Sequence, residues 1–300
     1  MNDASAPSPM QGRLLIASAA ILWSLGGVVA KGMTPLDGVT IAFYRSLFGG
    51  LALLPFIAVR KWTFRPVMLP ISIIFGIMVG LYLCSIQLTT AANAIFLQYS
   101  CVFWTVPIAA IFLRERPNRQ ALLAIGVATV GIAAIGIFGR KGTSGEGLGI
   151  AYGLASGIGY ASVIVTFRAN RDVDAGWLSA VCNLGGAATL GIYATVATSG
   201  LMRPTPIQFP ILAAFGLIQM ALPYLLFAKG LQSVSAAEAG LLSLLEPILT
   251  PVWVAIAHGE RPATFTYIGG AILIAGVAIR YAPWESRKVG SDAGGVANPP

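Results

Sequence analysis

One carboxylate falls near the centre of a long apolar stretch, and its surroundings are those of a polar site. This residue is Glu246; the other acidic residues lie at or near the ends of such stretches, in loops or in the tails. A charge surrounded by hydrocarbon is costly, so Glu246 is a functional candidate. Pro247 and Pro251 follow it, and each removes a backbone donor and frees a carbonyl one turn earlier. The carboxylate could bind an ammonium group, take up a proton, or hold two helices together through hydrogen bonds.

Uncharged polar and aromatic side chains inside the other apolar stretches form a second group of candidates. A hydroxyl or amide in hydrocarbon needs a hydrogen-bond partner, which a ligand can provide, although most aromatic side chains there only pack. Together with Glu246, the predicted substrate-binding residues are Trp23, Tyr82, Asn93, Gln98, Tyr99, Tyr160, Gln219 and Tyr224. The predicted helix kinks, which could act in gating, are at Pro107, Pro247 and Pro251.

Three cations at or inside the ends of apolar stretches are expected to act as anchors. Arg45 lies about two turns inside the second stretch, and its side chain is long enough to reach the lipid headgroups. Anchoring is therefore favoured over recognition of a substrate carboxylate. Lys31 and Arg168 lie at equivalent ends of two other stretches and are expected at the interface.

The sequence lacks the reactive groups that an enzyme within a membrane would need. His258 is the single histidine, and the three cysteines have no metal-ligand spacing. Glu246 alone cannot form a carboxylate pair, and no phosphate-binding loop for ATP is present. We therefore expect no catalytic residue, metal or cofactor. A static channel would need a continuous polar stripe, which these residues do not form.

The composition predicts an all-α integral membrane protein. Of its 300 residues, 56% are hydrophobic and 10% charged, whereas ordinary soluble domains have about 25% charged residues. A helix needs roughly 20 apolar residues to cross about 30 Å of hydrocarbon. Clusters of glycine, proline and charge delimit ten predicted helices, at 14–32, 38–59, 68–88, 91–113, 120–138, 148–168, 176–198, 208–229, 236–257 and 264–282. The third, fourth, sixth and ninth are expected to line a cavity.

The distribution of cations predicts the orientation. With a cytoplasmic amino terminus, 13 of the 19 lysine and arginine residues fall in cytoplasmic segments, 5 in external segments, and Arg45 within a helix. This bias favours cytoplasmic amino and carboxyl termini. The net charge of +8 thus reflects topology and not a nucleic-acid partner. Residues 1–13 are predicted to form a cytoplasmic segment, and 283–300, which are polar and rich in glycine and proline, a disordered cytoplasmic tail.

An internal repeat divides the chain into two halves. The stretch from Ala91 aligns without a gap with the stretch from Ala236, at a constant offset of 145 residues. Both copies contain a Glu-Arg-Pro triplet at the same place, at 115–117 and 260–262. Each half, 14–138 and 148–282, holds five predicted helices, and an odd number inverts the second half in the membrane. Such inverted repeats build secondary transporters around a midplane site, although a duplication kept only as a scaffold is the alternative.

These features together resemble a known superfamily. The two stretches with Glu-Arg-Pro, Trp23, the Phe43-Tyr44-Arg45 run and the Leu245-Glu246-Pro247 run resemble the drug/metabolite transporter superfamily, in its ten-helix EamA-type branch, over about residues 12–283. Within that branch the sequence looks most like bacterial amino-acid exporters of the YddG type.

The resemblance implies export of amino acids, with aromatic ones among the candidates, by alternating access across a bacterial inner membrane. Export or import of another small metabolite or drug is the alternative, and a membrane-embedded enzyme is disfavoured. The expected partners are a small-molecule substrate and the lipid bilayer, and the chain is expected to work as a monomer.

Overall fold

The described part of the chain is a bundle of helices. The computed structural model describes residues 7–114, 119–139, 142, 144–170, 172–234 and 236–281, and every regular element in these residues is a helix. The elements are α1 (Pro9–Gly32), α2 (Gly38–Phe56), α3 (Met68–Leu88), α4 (Ala91–Phe112), α5 (Arg119–Phe138), α6 (Glu146–Ala169), α7 (Ala175–Ala197), α8 (Gln208–Gly230), α9 (Ala236–Leu242 and Leu245–His258) and α10 (Thr264–Tyr281). The first Glu-Arg-Pro triplet, residues 1–6 and the predicted tail 283–300 lie outside the described residues.

The lengths of these helices suit a membrane. Nine of them, within the described ranges, have at least 18 residues and an apolar stretch with at most two charged residues. At about 1.5 Å per residue, such a helix crosses most of the roughly 30 Å hydrocarbon core. The tenth, Thr264–Arg280 in α10, is apolar but shorter. The chain is therefore a multi-pass membrane protein, with an all-α fold as the sequence predicts.

The predicted helix limits agree with the structure to within about three residues, except at the start of α1. That helix begins at Pro9 and not at residue 14, so part of the predicted amino-terminal segment is helical. The reason is local: Ser8 and Gln11 form a reciprocal capping box, and Pro9 occupies the first helical position, where its missing N–H is not needed.

Hydrogen bonds between helix ends and the connections beside them define the two sides of the bundle. On the side where α1 begins, here called the amino-terminal side, Ser233 Oγ donates to Ser8 O and Gln120 Nε2 to Ile279 O. On the opposite side, Gln87 Nε2 donates to Leu36 O at 2.7 Å. Successive helices therefore cross the bundle in alternating directions.

Contacts between helices recur when helices α1–α5 are exchanged with α6–α10. Helix α3 packs on α6 as α8 packs on α1, and α4 packs on α6 as α9 packs on α1. Helix α3 also packs on α7 as α8 packs on α2. The two remaining pairs, α5 with α10 and α2 with α7, are each exchanged with themselves. Single residues follow the same exchange. A shift of 137 residues carries α1 onto α6 and Gly12 onto Gly149, and a shift of 145 carries Ser233 back onto Leu88. A side chain on Gly149 would collide with Leu88, and one on Gly12 with Ser233.

Helices α5 and α10 pack closely against each other, and glycines allow it. A Cβ atom on Gly131 would lie 2.5 Å from the carbonyl oxygen of Gly269, and one on Gly276 would lie 2.9 Å from the backbone nitrogen of Ala128. Small residues allow backbones to approach closely in membranes, where van der Waals packing is a main source of helix association. These two contacts are again related by the 145-residue shift, which carries Gly131 onto Gly276.

We predict that Gly131→Ala destabilises the protein, whereas Gly126→Ala on the same helix does not. The new methyl group at 131 would meet backbone atoms of α10, while nothing lies within 4 Å of a Cβ atom at 126. Overpacking of this kind costs about 1–3 kcal/mol, and the second change removes a helical glycine, which is neutral or stabilising. Thermal unfolding of both variants in detergent measures the difference, and equal unfolding temperatures would contradict the close α5–α10 contact.

Candidate functional site

The residues singled out by their chemistry converge on one cavity. Its volume is about 380 Å³, at the small end of the range for small-molecule sites. Eight of the nine predicted substrate-binding residues line it: Trp23, Tyr82, Gln98, Tyr99, Tyr160, Gln219, Tyr224 and Glu246. They come from α3, α4, α6 and α9, as expected, and also from α1 and α8. Their presence around one space makes this cavity the candidate site, while their roles in binding stay predictions.

The cavity runs from the middle of the bundle towards the amino-terminal side. Its deep end is bounded by Trp23 and Glu246, both near the middle of their helices, and it extends to Phe167 and Leu231, near the ends of α6 and α8. Those ends lie on the amino-terminal side. The cavity therefore reaches towards one side of the bundle and not the other.

Polar contacts on the opposite side join the helices beyond the cavity. Lys31 Nζ lies 2.9 Å from Glu260 Oε2 and donates to Thr89 O at 2.8 Å. The other oxygen of Glu260 accepts a hydrogen bond of 2.7 Å from Ala91 N, at the start of α4. His258 Nε2 lies 2.9 Å from Val28 O. Lys31 is thus not only an interfacial anchor, because it links the end of α1 to the connection before α4 and to the connection after α9.

Glu246 lies at a break in α9 and is held by a tyrosine from α4. Tyr99 Oη is 3.0 Å from Glu246 Oε2 and 3.2 Å from Ser243 O, so it can donate to either acceptor. The helix is interrupted at Ser243 and Leu244, because Pro247 has no N–H to give to the Ser243 carbonyl. The Ser243 carbonyl instead accepts from Glu246 N at 3.1 Å and lies within reach of Tyr99 Oη. Glu246 is only partly buried, since its side chain faces the cavity.

A second break lies opposite, in α4, and does not coincide with a proline. This helix is interrupted at Tyr99 and Ser100, whereas Pro107 lies inside the continuous helix Cys101–Phe112. Pro251 likewise lies inside Leu245–His258. Pro247 is therefore the one of the three predicted kink positions that directly follows a break, and the gating role of all three stays a prediction.

A π-helical turn brings further polar groups to the cavity wall. Residues 217–221 of α8 form this turn, and Gln219 within it donates through Nε2 to Trp23 O at 2.8 Å. That carbonyl lies just before an interruption of α1 at Leu25, between Pro9–Ser24 and Gly26–Gly32. Gly26 makes room for the contact, because a Cβ atom there would collide with the Gln219 amide. Trp23 also packs edge-on against Tyr224, with ring centroids 5.5 Å apart.

Arg45 lines this cavity, so its expected role as a headgroup anchor is wrong. Only 8% of the residue is exposed, and its Nη2 atom lies 3.0 Å from Met220 Sδ. Glycines direct it there: α2 and α8 meet at Gly49 and Gly216, where a Cβ atom on Gly216 would lie 2.6 Å from Gly49 N. This contact buries the face of α2 that carries Arg45. Gly49, one turn after Arg45, is the sequence signal that could have indicated a packed face.

Asn93 is the predicted binding residue that the structure places elsewhere. Its amide donates to Thr89 Oγ1 at 2.9 Å and to Gly139 O at 3.1 Å, and its oxygen accepts from Thr266 Oγ1 at 2.7 Å. These three bonds join α4 to the end of α5 and to α10. The buried side chain thus makes its hydrogen bonds near the side opposite the amino-terminal side, and it does not line the cavity.

We predict that Tyr99→Phe destabilises the protein by about 1–3 kcal/mol, because it leaves the Glu246 carboxylate without its tyrosine donor and removes one of the two donors to the Ser243 carbonyl, which keeps the bond from Glu246 N. Tyr193→Phe, at a 51% exposed position on α7, is the matched control. Thermal unfolding in detergent measures both. If Tyr99 acts through Glu246, the loss is smaller in a Glu246→Gln background; fully additive losses would contradict the contact.

Comparisons with known proteins match nearly the whole chain. The EamA-like transporter family matches the chain twice, over residues 10–137 and 147–281. An uncharacterized transporter from Archaeoglobus fulgidus is 28% identical over 271 residues, which cover 90% of this chain and 96% of that protein. The uncharacterized inner membrane transporter YicL of Salmonella typhimurium is 25% identical over 291 residues, covering 91% and 95%.

A solved crystal structure shows the same fold. It matches with a TM-score of 0.65 at 16% sequence identity, and the match covers 91% of this chain and 98% of the other. The two family matches together span nearly all of the residues that form the helices and the cavity. The chain therefore belongs to the EamA-like transporter family.

Proposed function

We propose that this transporter exports small organic metabolites, and amino acids first of all, by alternating access. The observation that carries the proposal is a cavity in mid-bundle that contains a carboxylate and reaches towards one side, while the Lys31–Glu260 pair joins helix ends on the other side. A substrate could enter from one side and leave to the other only if the open end of the bundle closed and the closed end opened. Another small metabolite or drug, moved in either direction, is the alternative.

The two halves, as we propose, are inverted five-helix repeats. The twofold match of one family model and the exchange of helix contacts support this arrangement. In such a frame an opposite-facing state arises when each half adopts the packing of the other. By the shifts of 137 and 145 residues, the equivalents of Lys31 and Glu260 are Arg168 and Glu115. The two halves of the sequence thus carry an equivalent pair of opposite charges.

The excess of cations in the segments on the amino-terminal side supports an orientation with both termini in the cytoplasm. The cavity then faces the cytoplasm in this structure, ready to accept a substrate for export. A bacterial-type inner membrane is the proposed location, in keeping with the printed name of the Salmonella relative. Function as a monomer is part of the proposal.

Within the cavity, Glu246 and Tyr99 are the proposed site for an ammonium group. The carboxylate is held by one donor and keeps further acceptor capacity, and the carbonyl of Ser243 lies beside it. Aromatic and apolar side chains, among them Trp23 and Tyr224, would then surround the substrate side chain. Such walls hold few fixed charges and favour tolerance of different side chains.

We predict that Glu246→Gln lowers uptake of labelled amino acids into proteoliposomes by about tenfold or more, since a neutral amide loses a charge-assisted bond to ammonium. Glu246→Asp should retain part of the flux. Asp172→Asn, which removes a carboxylate that is 62% exposed in a connection, should retain all of it. Wild-type flux in the Gln variant would exclude both an ammonium-binding and a proton-carrying role for Glu246.

Opening of the closed side can be followed at Cys101, which lines the cavity. With Cys84 and Cys182 replaced by Ala, a membrane-impermeant thiol reagent should label Cys101 faster from the amino-terminal side. We predict that Glu260→Gln raises the rate from the opposite side about fivefold, because about 1 kcal/mol of ion pairing is lost there.

The control for this measurement is Lys61→Gln, which removes a more exposed ion pair with Asp174 on the amino-terminal side. Its labelling rates should stay at the wild-type level. Unchanged labelling in the Glu260 variant would show that the Lys31–Glu260 pair does not hold that side closed.

A further inference from the structure

The guanidinium of Arg45 is buried beside the cavity with most of its hydrogen-bonding capacity unused. Its Nε and Nη1 atoms have no hydrogen-bond partner within the described part of the chain, and Nη2 has only the sulfur of Met220. A thioether is a weak acceptor. The group also lies over the ring of Phe215, with 5.3 Å between Cζ and the ring centroid. These contacts place the cation but do not satisfy its donors, which is unusual for a buried charge.

The carboxylate that could neutralise Arg45 is held apart from it. Glu246 lines the same cavity, but its bonds go to α4 through Tyr99, and the described residues contain no ion pair between Glu246 and Arg45. One wall, formed by α2 and α8, thus carries a cation, and another, formed by α9 and α4, carries an anion. A ligand between the two walls meets one charge of each sign.

The wall that carries Arg45 is built with little freedom to move. The π-helical turn 217–221 supplies both Met220, which contacts Arg45, and Gln219, which is bonded to Trp23 O. Turns of this kind occur often at functional sites. Gly49 lets the turn approach α2, because a Cβ atom there would lie 2.6 Å from the Met220 Cβ atom. The Gln219 oxygen atom is also without a partner in the described residues.

We propose that Arg45 binds the carboxylate of the substrate while Glu246 binds its ammonium group, so that the substrates are zwitterionic amino acids with both groups free. This assignment rests on the proposed transport function. The planar guanidinium offers two parallel N–H donors that match a carboxylate, and arginine keeps its charge in proteins. A zwitterion adds no net charge to the cavity and can pair with both Arg45 and Glu246, whereas a simple amine or acid would leave one of these two charges unpaired.

The test compares forms of one amino acid. Counterflow of the twenty common L-amino acids into wild-type proteoliposomes first selects the best substrate. Its free form is then compared with its amide and its decarboxylated amine, which lack the carboxylate, and with its N-acetyl derivative, which lacks the ammonium group. Isothermal titration with the purified protein gives the Kd of each compound for wild type, Arg45→Gln and Arg45→Lys, with Arg203→Gln as a control at an exposed position.

Wild type should bind the free amino acid about tenfold or more tightly than the other three forms. Arg45→Gln should weaken binding of the free form by about 10- to 100-fold and change binding of the amine by less than about twofold. Arg45→Lys keeps the positive charge but lacks the two parallel N–H donors, so its loss of affinity for the free amino acid should be intermediate. If Arg45→Gln fails to fold, the same comparison in Arg45→Lys is decisive, because a structural role would not separate acid from amine.

The outcomes separate the two proposals. A variant at Arg45 that is well folded and keeps the full wild-type preference for the free acid overturns the role of Arg45 and leaves amino-acid transport standing. Absence of flux for all twenty amino acids in wild-type vesicles overturns the proposed substrate class, and the assignment of Arg45 with it.

Discussion

Backbone hydrogen bonding within hydrocarbon determines where this bundle can hold a site. A backbone N–H or C=O group there has no water to bond, so a helix can be interrupted only where protein groups or a polar cavity satisfy the freed groups. Apart from the 3₁₀ turn 54–56 that ends α2, four irregularities occur inside the described helices: Leu25 in α1, Tyr99–Ser100 in α4, the π turn 217–221 in α8 and Ser243–Leu244 in α9. Each of these four contains a residue that lines the cavity or lies within two residues of one. The breaks and the cavity therefore depend on each other.

The side chains that satisfy the broken backbone are also candidates for contact with a ligand. Tyr99 Oη is shared between Ser243 O and the carboxylate of Glu246, and Gln219 Nε2 bonds Trp23 O. A ligand that accepts a hydrogen bond from Tyr99 or Gln219 therefore competes with a backbone carbonyl at a helix break. Binding and helix geometry are then coupled through the same bonds, and a ligand shifts the conformations by its different affinity for each. This gives a physical route from an occupied site to a movement of α4 against α9.

The sequence could predict how deep each residue lies far better than the direction in which it points. Helix limits follow from hydrophobic length, and eight of the nine candidate binding residues do line the cavity. Arg45 and Asn93 differ because a membrane helix is apolar on all sides, so no amphipathic pattern shows which face is packed. Their directions depend on distant partners: Gly216 for Arg45, and Thr266 and Gly139 for Asn93. Only the folded chain brings these together.

The repeat is symmetric in its packing and asymmetric in its charges. Asp37 and Asp174 cap α2 and α7 in the same way, three residues before Thr40 and Trp177, so the 137-residue shift also relates these helices. It carries Arg45 onto Cys182 and Trp23 onto Tyr160, while the 145-residue shift relates Glu246 to Cys101. A frame with two copies of each charge could bind a ligand in two opposite orientations. With one cation and one anion, each fixed to its own helix, a zwitterion has a single favoured orientation in both proposed states. Under the proposed alternating access, one end of the bundle would close and the other open while the polarity of the site stayed constant, so the substrate would not need to turn over inside the cavity to be released.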